Sequence, residues 1–286
     1  MANPPHLVSG LSVLASGYDA LICDVWGVIH DGKKAHPLAA EALIRFREKH
    51  GPVVLLTNAP RLPGEVAAQC REYGVPEGCY DAIVSSGGAS RAELDRHAAK
   101  AAAENRVLRL YYLGPDKDLP ILEGLAYKAT SIEEAELAFC TGLVDDLTET
   151  VEDYAERLGA MRQRGLTMIC ANPDLVVHRG SKLCFCAGAL AREYERLGGA
   201  AIYYGKPHLP IYDAARKALG GARNPLAVGD GLHTDIAGAN RAGLDVLFIA
   251  DGVHGEEVEP FTAEHLADLF DAAGVSALAA CRSLQW

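Results

Sequence analysis

An aspartate closes the apolar run ALIC at position 24, in the stretch DVWGV, where a buried strand would reach its carboxyl end. Three further stretches put polar side chains at the same kind of position: LLTNAP with Thr57 and Asn58, YYGKPH with Lys206, and VGDGLHTD with Asp230 and Asp235. In open α/β sheets the carboxyl ends of the strands converge on the binding crevice, so these residues are candidates for one centre. Their types suit phosphoryl transfer. Asp24 can act as a nucleophile, forming an aspartyl phosphate that divides one difficult displacement into two. Asp24 and Asp230, carboxylates from different strands, can hold a hard cation such as Mg2+ through oxygen, and that charge screens Asp24 from an incoming phosphate. Thr57, read at a strand-to-helix junction, offers a hydroxyl and nearby backbone N–H groups to a phosphate oxygen. Lys206 supplies a point charge to the phosphate and to Asp24.

The elements that must position these residues alternate along the chain. DALICDV, PVVLLTN and YDAIVSS read as strands, separated by the helical patterns PLAAEALIRFREKHG and PGEVAAQCREYGV. Pro37 sits at a plausible first helical position and Gly51 at the stop. Strands that are apolar throughout and separated by amphipathic helices imply a parallel sheet covered on both faces. The pattern resumes near the end, with AIYYGKP as strand to turn, LPIYDAARKALGG a helix, PLAVGDG a strand, TDIAGANRAGL a helix and DVLFIADGV a strand. Between them lies a second α/β unit containing RVLRLYYLG, EAELAFCTG, the helix-like ETVEDYAERLGAMRQRG, and LTMICANPD. The expected fold is therefore α/β, a Rossmann-like parallel-sheet core from residues 1–89 and 201–286 with an inserted α/β domain at 90–200.

Composition bounds the function class. The 286 residues are 49 % hydrophobic and 23 % charged, an ordinary globular balance with ample core. A formal net charge of −11 argues against a nucleic-acid surface, which needs clustered Lys and Arg, but leaves small anionic substrates open. No apolar stretch approaches the roughly 20 residues that cross a bilayer, and MANPPHLVSG lacks the basic and apolar regions of a secretory leader. The eight cysteines are scattered without a CxxC pair, and Cys184 and Cys186 are badly spaced for a disulfide or a chelate. Reduced thiols in a cytoplasm are the expectation.

The ordered set DVWGV, TN, GKP and GDGLHTDI resembles the haloacid dehalogenase superfamily, in particular its class IIA, the NagD-like phosphatases. Those proteins show DxDGV, a TN pair, an inserted α/β cap of the class IIA (C2) type, GKP and GDxxxTDI in the same order. ANPD near Asn172 and CAGAL around Gly188 also look like the class IIA cap. The resemblance implies a HAD-like fold and a Mg2+-dependent phosphatase, acting on a small phosphorylated metabolite such as a sugar phosphate, with a homodimer as the default assembly. It makes Asp24 nucleophile and metal ligand, the backbone oxygen of Trp26 a second ligand, and Asp230 a third. It gives the phosphoryl group to Thr57, Asn58 and Lys206, and places Asp235 behind the metal ligands.

Trp26 departs from the pattern. The phosphatases carry at this position an Asp that protonates the leaving group and then activates water, and an indole does neither. General acid–base catalysis contributes about 10²–10⁴-fold, so that much is at stake for a poor alkoxide leaving group. Two alternatives follow: a metal-independent dehalogenase-type hydrolase attacking carbon through Asp24, or a weakly active or non-catalytic protein that binds a phosphometabolite. Retention of Asp230 and Asp235 favours phosphate and metal over the dehalogenase.

Each residue also has an ordinary structural explanation. Asp24 could cap a turn, Thr57 and Asn58 could cap a helix, Lys206 could be a solvated loop residue, and Asp235 could favour the first turn of a helix. Asp230 after LAVG is a poor place for a carboxylate without a partner. His30, Asp31, His208 and His233 lie near the motifs and are candidates to replace the acid–base, and His178 and Arg179 could meet substrate; surface or turn roles are the plainer reading for all six.

Overall fold

A computed structural model describes residues 4–179, 182–255 and 257–286, and leaves the side chains of His178 and Arg179 outside that description. The chain forms two compact units, one from 1–57, 64–84 and 206–286, the other from 58–63 and 85–205.

The first unit is built on a seven-stranded sheet. From one edge its strands run His6–Leu7, Ala279–Cys281, Val246–Ile249, Pro225–Gly229, Ala20–Asp24, Val53–Thr57 and Ala82–Ser85. Every pairing whose register is given is parallel. The three central strands are buried at every residue, which is why they read as unbroken apolar runs. Helix Pro37–Lys49 starts on a proline, whose missing N–H costs nothing in the first turn. It buries Ala39, Ala42, Leu43 and Phe46, a spacing of three to four residues that makes one apolar face. On the other side of the sheet Ile22, Val54 and Phe248 pack with Ile211, Tyr212 and Ala215 of helix Leu209–Ala218, and with Leu266 and Phe270 of helix Ala263–Ala273.

The second unit has its own five-stranded sheet, ordered Ala200–Tyr203, Thr167–Cys170, Leu137–Cys140, Leu108–Leu113 and Tyr127–Ala129, with a two-stranded hairpin of Val176–Arg179 and Lys182–Phe185. Two apolar clusters cover it. One joins Tyr154, Leu158 and Met161 to Ala187, Leu190 and Tyr194, and the other packs Leu94 and Ala98 of helix Ser86–Ala103 on Leu110 and Phe139.

Two expectations need correction. AIYYGKP was expected to open the returning half of the core, yet Ala200–Tyr203 pairs in parallel with Thr167–Cys170 in the smaller sheet, with Ile202 opposite Ile169. Its composition suits any parallel sheet, and the choice is made by neighbours remote in sequence. Thr57 and Asn58 do not cap a helix, because the next one begins at Pro63 and an irregular segment intervenes. Among the described residues no helix is long and apolar enough to cross a membrane. All eight cysteines are buried, and none is joined in a disulfide.

Candidate active site

Strand register brings the chemistry together. Asp24 pairs with Leu56, and Cys23 with Val228. Thr57 therefore lies one residue beyond Asp24 on one neighbouring strand, and Asp230 follows the last residue of the other. Asp24, Thr57 and Asp230 thus stand at adjacent carboxyl ends of the sheet, where side chains can converge on one ligand.

Asp24, Asp230 and Asp235 are all buried, and each offers an oxygen within 4.8 Å of the others. Asp235 lies in the turn Leu232–Ile236, ahead of the short helix Ala237–Arg241. Lys206, also buried, donates from Nζ to Oδ1 of Asp24 and, at 2.7 Å, to Oδ1 of Asp235. The other oxygen of Asp235 accepts from the Gly231 N–H at 3.1 Å. Asp230 Oδ2 accepts from the Val253 N–H at 2.9 Å. The backbone at residue 27 crosses directly over that carboxylate, since a Cβ on Gly27 would lie 2.1 Å from Oδ2. Gly27 also has φ +88, so a side chain is refused both by conformation and by space. This close crossing lays the Trp26–Gly27 backbone beside the carboxylates.

One ammonium faces three carboxylates. Burial raises the Asp24 carboxyl well above its ordinary range, with the Asp235 charge adding to the effect and Lys206 opposing it. Burial, then Asp235, pushes Asp230 up to about 7. Burial would lower Lys206, but Asp235 and Asp24 outweigh it and hold the ammonium charged. Buried like charges of this kind favour either a proton or a cation among them. The donor set fits Mg2+: hard carboxylate oxygens from separate elements, close enough to share one ion, with net negative charge left after Lys206.

Trp26 is 43 % exposed, and its Nε1 would lie 3.0 Å from a Cβ on Gly32. The indole therefore lies against the turn after the first strand. Two of the proposed substitutes for an acid–base are committed elsewhere. His30 is buried, its ring edge-on to Tyr73 at 5.0 Å, and its Nδ1 accepts from the Gly32 N–H. Burial lowers its pKa, keeping it neutral. Asp31 caps its own turn by accepting from the Lys33 and Lys34 N–H groups, which hold its carboxyl below the ordinary range. His233 is exposed and His208 half-buried. The side chains of His178 and Arg179 lie outside the described residues.

Asn58 differs from expectation in its partner. Its amide Nδ2 donates to Asp174 Oδ1 at 2.8 Å, 116 residues away, and both belong to the second unit. ANPD in the sequence marked the stretch but not this contact.

A haloacid dehalogenase-like hydrolase family model matches residues 21–128, and a HAD-hydrolase-like model matches 203–273. A crystal structure of a haloacid dehalogenase-like hydrolase from Brucella suis 1330 is 41 % identical, covers 97 % of this chain and 100 % of its own, and superposes with a TM-score of 0.82. The chain belongs to the haloacid dehalogenase-like family of hydrolases. Its NagD-like resemblance stands beside a match to the ribonucleotide monophosphatase NagD of Escherichia coli K12, 28 % identical over 238 residues that cover 82 % of this chain and 88 % of that one. The glycerol phosphate phosphatase of Mycobacterium tuberculosis, solved in complex with magnesium, shares the fold with a TM-score of 0.67 at 23 % identity, covering 87 % of this chain and 74 % of that one.

Proposed function

We propose that this family member is a Mg2+-dependent phosphatase that hydrolyses a small phosphate monoester through an aspartyl phosphate on Asp24. The observation that supports it is the buried group of Asp24, Asp230 and Asp235 with Lys206 at the carboxyl ends of the central strands. The named activities of NagD and of the glycerol phosphate phosphatase point the same way.

In this reading Asp24, Asp230 and the backbone oxygen of Trp26 would hold the cation, and Asp235 supports them through Lys206. When bound, the ion supplies compact positive charge that offsets the repulsion between Asp24 and a phosphate dianion. Asp24 attacks phosphorus; the P–O bond to the alcohol breaks, and its electron pair leaves with the alkoxide. Lys206 draws the phosphoryl oxygens towards Asp24, and the Thr57 hydroxyl donates to one of them. Water then attacks the phosphoaspartate, releasing phosphate and restoring the Asp24 carboxylate. The inserted unit is the cap in this scheme, and selection of the non-phosphate part is assigned to it. Trp26 protonates nothing, so esters whose leaving groups need no proton are the favoured class. The test is phosphate release from a panel of phosphate monoesters with Mg2+ or with chelator. Metal-dependent release lost in Asp24→Asn supports the reading, whereas full activity in that variant, or turnover of a haloacid in chelator without any phosphatase activity, overturns it.

A further inference from the structure

The chain passes between its two units immediately beside two residues of the proposed phosphate site. Asn58, the first residue of the second unit, follows Thr57, and Gly205, the last, precedes Lys206. These two crossing residues pack on each other. A Cβ on Gly205 would lie 2.6 Å from Asn58 Oδ1 and 2.5 Å from Pro173 Cδ. Only a residue with no side chain lets the backbone at 205 approach this closely.

The Asn58 amide is oriented by chemistry. A carboxylate only accepts hydrogen bonds, so Nδ2 faces Asp174 and Oδ1 turns to Gly205. The bond is charge-assisted and its donor is buried, conditions under which such a contact is strong and its loss costly. Asp174 is itself held in place. Its N–H donates to Asn172 Oδ1 at 3.1 Å, and the preceding Pro173 has a fixed φ.

We propose that Asp174 is a positioning residue, one whose carboxylate pins Asn58 against Pro173 and Gly205 and so fixes where Thr57 and Lys206 present their side chains. Asn58 serves this clamp rather than the phosphoryl group. The proposal rests on the phosphatase reading of Thr57 and Lys206. Reacting groups displaced by about 1 Å lose on the order of 10²-fold in rate, and each of these two is one peptide bond from the clamp.

The test uses the full chain with Mg2+ and p-nitrophenyl phosphate, measuring kcat and KM together with binding of inorganic phosphate and the thermal midpoint. Asp174→Ala is expected to lower kcat/KM tenfold or more and to weaken phosphate binding. Asp174→Asn keeps an oxygen for the Asn58 amide and should retain most of the activity. The exchanged pair, Asn58→Asp with Asp174→Asn, rebuilds the bond with donor and acceptor reversed and should recover most of what Asp174→Ala loses. If Asp174→Ala does not fold, Asp174→Asn and the exchanged pair decide. Asp174→Ala within twofold of wild type overturns the proposal. So does an exchanged pair that falls at least tenfold below Asp174→Asn, the result expected if the Asn58 amide itself addressed phosphate. A wild-type enzyme with no activity on the aryl ester would instead remove the phosphatase reading, and the clamp's role with it.

Discussion

Replacing Asp230 with Asn should stabilise the metal-free protein and abolish its response to magnesium. Asp230 is buried beside Asp235, and its carboxyl titrates at about 7 against an ordinary 3.8. Between those two values the folded chain holds a proton that the unfolded chain has released, so stability from this group is complete below about pH 4 and falls until pH 7. The difference of about 3 units corresponds to at most about 4 kcal/mol at neutral pH. Asp24 is raised by the same neighbours and shares the protonation, so the single substitution should recover about half of that, roughly 2 kcal/mol. For a chain of this size that is about 4 °C in Tm. The asparagine oxygen still accepts from the Val253 N–H, so no buried donor is orphaned. Magnesium at 100 times its Kd should stabilise wild type by about 2.7 kcal/mol and leave the variant nearly unmoved. Thermal unfolding at pH 7.5 should therefore rank the variant above wild type in chelator and below it in magnesium, with the chelator gap closing towards pH 5. A variant less stable than wild type in chelator, or one that keeps the full magnesium shift, would refute the reasoning.

Other substitutions probe the remaining parts of the site. Lys206→Met leaves Asp24 and Asp235 buried without their cation, and breaking such a pair costs about 3–5 kcal/mol; calorimetry should show a lower Tm at pH 7.5, with a smaller loss at pH 5, where Asp24, raised by burial, takes up a proton. Trp26→Asp should raise kcat/KM for alkyl phosphates about 10²–10⁴-fold while changing kcat/KM for p-nitrophenyl phosphate, whose leaving group needs no proton, only a few-fold. Equal slowness on both esters, unchanged by that substitution, would show that the missing acid does not limit this enzyme.

Much of this site is legible in the sequence because the central strands are buried on both faces. ALIC, VVLL and PLAV have no polar interruptions until the residue where each strand ends, so Asp24, Thr57 and Asp230 announce themselves by position. Helix Pro37–Lys49 carries its start and its stop in Pro37 and Gly51. What escaped depends on partners distant in the chain. AIYY satisfies either sheet, and only its pairing with Thr167–Cys170 decides. The edge strand His6–Leu7 and its neighbour Ala279–Cys281 are too short to carry a period. Helix Ser86–Ala103 is rich in alanine and glycine, which blurs its apolar face. The Asn58–Asp174 contact joins residues 116 apart, and neither type identifies the other.

The central claim is that Asp24 takes the phosphoryl group. Without an acid–base at position 26, attack by Asp24 on an ester with a good leaving group remains easy, but hydrolysis of the phosphoaspartate has no base to activate water. Rapid mixing of enzyme with p-nitrophenyl phosphate and magnesium should therefore give a burst of nitrophenolate close to one equivalent. Acid quenching should recover phosphate on the peptide containing Asp24, and Trp26→Asp should shrink both signals. Absence of the burst and of the phosphopeptide in an active enzyme, or a phosphopeptide that persists in Asp24→Asn, would contradict the account.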